Sequence, residues 1–142
     1  MNSTVQLIQP VVALLIWSMV MWFWMYATRL PAIASMKMKL DSEVPSGVQM
    51  SQLPARVRWK ADNYNHLMEQ PTLFYAAVFS LAFLGALTEF IVYTAWAYVG
   101  LRVIHSLVQA LVNKIEFRFV VFALSNIPLV ILICKAAIQA FK

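Results

Sequence analysis

The chain has 142 residues, of which 62% are hydrophobic, 12% are charged and three are Gly, with a formal charge of +5. A soluble domain of this length has too much surface to hide so many apolar side chains, so the composition excludes a water-soluble globule, a disordered tail and a disulfide scaffold. What is left is an all-α integral membrane protein, a transmembrane four-helix bundle of about 20–25 residues per span, whose basic excess marks loops rather than a nucleic-acid partner.

The first apolar run, residues 5–28, carries no charge, holds Pro10 in its first turns and continues through Trp17, Trp22, Trp24 and Tyr26. Ala32-Ile33-Ala34 has the small-x-small form of a cleavage site. No basic side chain precedes the run, however, and it is too long for the apolar core of a signal peptide, so it reads as a retained span. Residues 29–56 hold Lys37, Lys39, Asp41, Glu43, Pro45, Gly47 and Pro54 and read as the one long loop. A second helix, 57–87, begins basic, passes through Asp62-Asn63-Tyr64-Asn65-His66 and turns apolar after Glu69, with Pro71 placed to kink it. The short break at 85–89 makes an antiparallel hairpin with the third span, 90–112. Asn113-Lys114-Ile115-Glu116 is the tight turn before the fourth span, 117–140, which contains Pro128. The whole chain reads as one integral membrane domain.

Loop charges give an orientation. Arg29, Lys37, Lys39, Arg56, Arg58 and Lys60 lie in or beside the first loop, and Lys114 and Arg118 at the third; Lys135 and Lys142 are the only cations toward the opposite face. This bias places the first and third loops in the cytoplasm and both termini outside, in a periplasm or lumen.

Ionisable groups inside a bilayer are costly and face a bundle interior or a wet cavity. On the third helix Tyr98, Arg102, His105, Ser106, Gln109 and Asn113 recur at three- and four-residue steps, and on the second Arg58, Asp62, Asn65, His66 and Glu69 do the same. Glu69 lies about 16 Å along its helix from Arg58, and Arg102 about 16 Å from Asn113, so the two match in depth and are expected to pair. The alternative for that pair is interhelical glue without chemistry. His105 and Gln109, with Arg118, Arg58 and Lys60, would form a basic, hydrogen-bonding pocket at the cytoplasmic side, suited to an anionic polar ligand whose apolar partner arrives from the lipid. Interfacial anchoring and snorkelling would equally explain Arg58, Lys60 and Arg118. No metal is expected: Asp62, His66 and Glu69 lack a second nearby histidine in their segment, and Cys134 is the only cysteine. No zinc-protease, nucleophile-elbow or phosphate-loop motif is present.

The segment Arg56-Val57-Arg58-Trp59-Lys60-Ala61-Asp62-Asn63-Tyr64-Asn65-His66-Leu67-Met68-Glu69-Gln70-Pro71, together with Arg102-Val103-Ile104-His105-Ser106, resembles the second- and third-helix signatures of the MAPEG superfamily, the membrane-associated proteins of eicosanoid and glutathione metabolism, in a divergent, bacterial-type form. The resemblance covers nearly the whole chain. It implies a homotrimer with glutathione as co-substrate, bound between neighbouring subunits near the cytoplasmic side. By resemblance, Asn65 and Glu69 hold the glutathione backbone, Arg102 braces Glu69, His105 lines the site, Arg58 or Lys60 and Arg29 meet carboxylates, and Arg118 stabilises the thiolate.

The function so implied is a membrane-bound glutathione-dependent transferase or peroxidase acting on an apolar electrophile delivered by the bilayer. The rival is a non-catalytic lipid- or ligand-binding trimer on the same scaffold, which Gln109, Phe119 and Phe122 favour, because some catalytic members carry hydroxyl side chains there.

Overall fold

The structure, a computed structural model, describes residues 3–142, with side chains from Thr4 onward. Its elements are α1 (Ser3–Ser35), α2 (Ser46–Met50), α3 (Ala55–Glu69), α4 (Pro71–Phe83), α5 (Glu89–Leu111) and α6 (Ile115–Ala140), with no strand among the described residues. Three of them, α1, α5 and α6, are long and apolar enough to cross a membrane.

The second helix expected from the sequence is divided at Pro71. Pro71 has no N–H to continue the ladder and takes the first position of α4, where none is needed. Gln70 keeps helical angles (φ −65, ψ −37), so the rod continues from a polar α3 of 15 residues into an apolar α4 of 13. Neither piece alone has the length of a span.

α1 also departs from expectation, running past residue 28 through Arg29 and Pro31 to Ser35. A proline costs a helix one N–H and disturbs one carbonyl, and the flanking Ala27, Leu30, Ala32 and Ile33 keep the helix favourable. Arg29 is thereby lifted out of the loop and fixed on a helix. The rest of the connection is tied down by one side chain: Gln49 donates to the carbonyls of Asp41 and Val44, each at 2.7 Å, and accepts from the Asp41 N–H at 2.8 Å.

The tight turns have identifiable chemistry. α4 ends with Gly85 at φ +66, where Ala86 N–H reaches back to the Leu81 carbonyl at 3.0 Å. This left-handed closure favours glycine. Thr88 caps α5 by accepting from Ile91 N–H. α5 ends with Asn113 at φ +50, its N–H bonded to the Val108 carbonyl at 2.7 Å.

α1 buries Leu7, Val11, Leu14, Ser18, Met21 and Met25, a seam of four- and three-residue steps. Ser18 is satisfied within its own helix, donating to the Leu14 carbonyl at 2.9 Å. The seam meets Leu67, Phe74, Val78, Leu81 and Tyr98 in the core, with Phe74 and Tyr98 stacked at 4.5 Å. α1 packs on α3, α4 and α5, while α6 packs on α4 and α5. Between lipid-bathed helices such contacts hold by packing and interhelical hydrogen bonds rather than by exclusion of water.

Candidate functional site

The polar stripe of α5 faces inward as its spacing requires. Tyr98, Arg102, His105, Ser106 and Gln109 are all buried, Arg102 with 1% of its surface exposed. Ser106 Oγ accepts from Trp17 Nε1 at 2.9 Å and from Asn63 Nδ2 at 2.6 Å, joining α1, α3 and α5. Arg102 donates to Gln70 Oε1 at 3.3 Å and to the His66 carbonyl at 3.1 Å. Gln70 in turn donates to Asn126 Oδ1 on α6. The break at Pro71 thus coincides with a knot of side chains reaching α5 and α6.

This knot corrects the expected Glu69–Arg102 ion pair. The Glu69 side chain is 68% exposed, and its carboxylate lies 3.4 Å from His66 Nδ1 instead. Consecutive helix positions are turned by about 100°, so the depth match was sound but the inward residue at that depth is Gln70.

The outer face of α3 carries Arg58, Asp62, Asn65 and Glu69, all exposed. The first three line a cavity of about 510 Å³ with Tyr64, with Arg29 of α1, and with Ser46 and Gly47 of α2. Arg29 Nε is buried and has no hydrogen-bond partner. Two guanidiniums and one carboxylate around one cavity can hold a ligand bearing two acids and one amine. Lys60 does not line it. Its ammonium donates to the Arg56 carbonyl at 2.7 Å and lies 5.4 Å from the centre of the Trp24 ring, wedged between α3 and α1.

A second cavity, of about 190 Å³, lies across α3 and is lined by His66, His105, Ile115, Arg118, Phe119 and Phe122. Arg118 is held by the α5–α6 turn, donating from Nη1 to Asn113 Oδ1 at 2.7 Å. The rings of His66 and His105 stand edge to face at 6.1 Å, and His105 lies 6.0 Å from Phe122. A cation among aromatic and aliphatic walls suits an anion whose remaining surface is apolar.

The sequence-predicted residues therefore fall into three groups. Arg58 and Asn65 line the first cavity, and His105 and Arg118 the second. Lys60, Glu69, Arg102 and Gln109 line neither, and Gln109 is buried with Oε1 unpartnered. Sequence reasoning missed Asn63, Gln70 and Asn126 as the inner polar contacts of α3, its junction with α4, and α6. A signal for the first two existed: stepping back seven residues from Phe74 gives Leu67, both fully buried, and the polar neighbours on that face are Asn63 and Gln70.

No curated protein and no solved structure matches the chain. The family model described as MAPEG family matches residues 7–138, nearly the whole length. With its three apolar helices and its paired second- and third-helix signatures, the chain belongs to the MAPEG family, the membrane proteins of glutathione and eicosanoid metabolism.

Proposed function

We propose that the chain is a membrane-bound, glutathione-dependent transferase or peroxidase that acts on an apolar electrophile as a homotrimer. The observation that carries this reading is the first cavity. Glutathione bears two carboxylates and one ammonium, and the cavity is lined by Arg29, Arg58 and Asp62, with Asn65 and Tyr64 as further hydrogen-bonding groups. Its volume of about 510 Å³ lies within the usual range for small-ligand sites. The charge bias of the loops would put this end of the bundle in the cytoplasm, where a soluble thiol is available.

The thiol chemistry is assigned to the second cavity. A thiol becomes a nucleophile by losing its proton, and a fixed cation beside the sulfur favours the thiolate. Arg118 is that cation, while Ile115, Phe119 and Phe122 offer an apolar berth for the electrophile. The two cavities flank α3 through consecutive residues, Asn65 and His66, on different faces. On this reading a neighbouring copy would bring the two together and complete the site. The exposed polar stripe of Arg58, Asp62, Asn65 and Glu69 likewise calls for cover in a membrane helix. Both points favour an intersubunit site, and the number three is the one the family resemblance implies.

The test is the ultraviolet difference absorbance of thiolate when glutathione is added to the detergent-solubilised protein, alongside turnover of a model electrophile. The parent develops the thiolate band. Arg118→Lys inserts and assembles normally but loses turnover by roughly 100-fold, as when a donor aimed at a developing anion is removed. Retention of parental turnover in both Arg118→Lys and Arg118→Ala would make Arg118 an anchor only. A second reading, a non-catalytic lipid- or ligand-binding trimer, is favoured by the lining of the Arg118 cavity, which holds no hydroxyl side chain. Binding of glutathione without a thiolate band selects it.

A further inference from the structure

Arg118 can hold a thiolate but cannot take the proton that leaves the thiol, because a guanidinium has no acceptor and stays charged. A group beside it has to accept that proton if the reaction is not to depend on bulk water. Two side chains lining the same cavity are able to do so, His66 and His105. They differ in their surroundings. His105 is 3% exposed, set against Phe122, and no carboxylate touches it among the described residues. His66 is 41% exposed, and its Nδ1 lies 3.4 Å from a carboxylate oxygen of Glu69, one helical turn on.

We infer that His66, oriented by Glu69, is the general base that deprotonates the thiol held by Arg118; this rests on the glutathione-dependent reading above. The Glu69 carboxylate, 3.4 Å from Nδ1, would favour the tautomer that carries its proton on Nδ1, leaving the lone pair on Nε2 for the thiol. In the step, the S–H bond breaks and its electron pair stays on sulfur. A new N–H bond forms at Nε2, and the imidazolium is neutralised by Glu69 while Arg118 faces the thiolate. After the sulfur bonds to an electrophilic carbon, the proton returns from Nε2 to the product in an addition, or passes to water in a displacement. Neutral His66 is restored and no further reactant is needed. The charged or titratable groups around His66 are Glu69 on its own helix, Arg102 and His105 on α5, and Arg118 on α6. Of these, Glu69 alone is acidic. The Glu69–His66 pair thereby gives the conspicuous carboxylate of α3 a role other than bracing Arg102.

The experiment measures turnover and the thiolate band across pH for the parent, His66→Ala and Glu69→Gln, with glutathione and a small unsaturated carbonyl electrophile, and with imidazole added back to His66→Ala. The expected result is that His66→Ala still binds glutathione, since the first cavity, which would hold both carboxylates, keeps its lining. Its turnover falls about 100-fold with loss of the acidic limb of the pH profile, and added imidazole partly restores it. Glu69→Gln shows a smaller fall in kcat with KM for glutathione unchanged. A parental pH profile and turnover in His66→Ala, or a loss that imidazole does not relieve in a protein still binding glutathione, overturns the assignment of His66. A parent that forms no thiolate at all instead overturns the glutathione reading, and this inference with it.

Discussion

α3 has two polar faces, and they do different work. Inward, Asn63 binds Ser106, while Gln70, just past the helix end, lies between Arg102 and Asn126. Outward, Arg58, Asp62, Asn65 and Glu69 are exposed, and three of them line the larger cavity. The inner contacts to α5 and α6 come from amides, with Gln70 accepting from Arg102 and donating to Asn126 at once, while the inward Lys60 is held by the Arg56 carbonyl and the Trp24 ring. The outer residues are mostly charged, which a dry interior tolerates only when paired but a wet, ligand-binding face can use. The amides Asn63 and Gln70 thus bind the bundle together, while the charged stripe is left on the open face.

The largest expected effect breaks the inner face. Arg102 is the largest fully buried side chain, and Arg102→Ala removes its volume and leaves the Gln70 oxygen and the His66 carbonyl without their donor. A loss of about 3–5 kcal/mol in detergent unfolding is expected. Gln70→Leu comes next, at about 1–3 kcal/mol, because Arg102 Nη1 and Asn126 Oδ1 each lose a partner in a dry setting. Glu69→Gln, one residue away, is expected to change stability by no more than about 0.5 kcal/mol, as for an exposed ion pair. Equal destabilisation by the two neighbouring substitutions would mean that the faces are not distinct, and a larger loss for Glu69→Gln would restore the ion pair with Arg102.

Much of this was legible in the residues themselves. The helical, membrane-embedded nature of the chain followed from composition, and the inward stripe of α5 from its spacing, because α5 has an apolar background and no proline to shift its phase. α3 offered less. It has polar residues on both faces, so its own pattern did not say which one turns inward. The phase was set from outside, by the apolar seam of α4 reaching back through Leu67. Lys60 and Arg29 show the same limit. Each was counted among basic residues near the first loop. Trp24 packs one against α1, and the extension of α1 past residue 28 carries the other to the larger cavity. Such placements depend on which neighbour a side chain meets, and spacing along a single helix does not carry that information.

The hydrogen bond from Arg118 to Asn113 has a thermodynamic consequence. A free arginine carries roughly 2 kcal/mol of rotamer entropy, much of which is forfeited when it grips an anion. Here one of its five N–H donors is already committed to the α5–α6 turn, whose left-handed Asn113 fixes the acceptor in place. Part of the disorder is therefore lost when the chain folds, and the four remaining donors would meet an anion entering the cavity from a preset position.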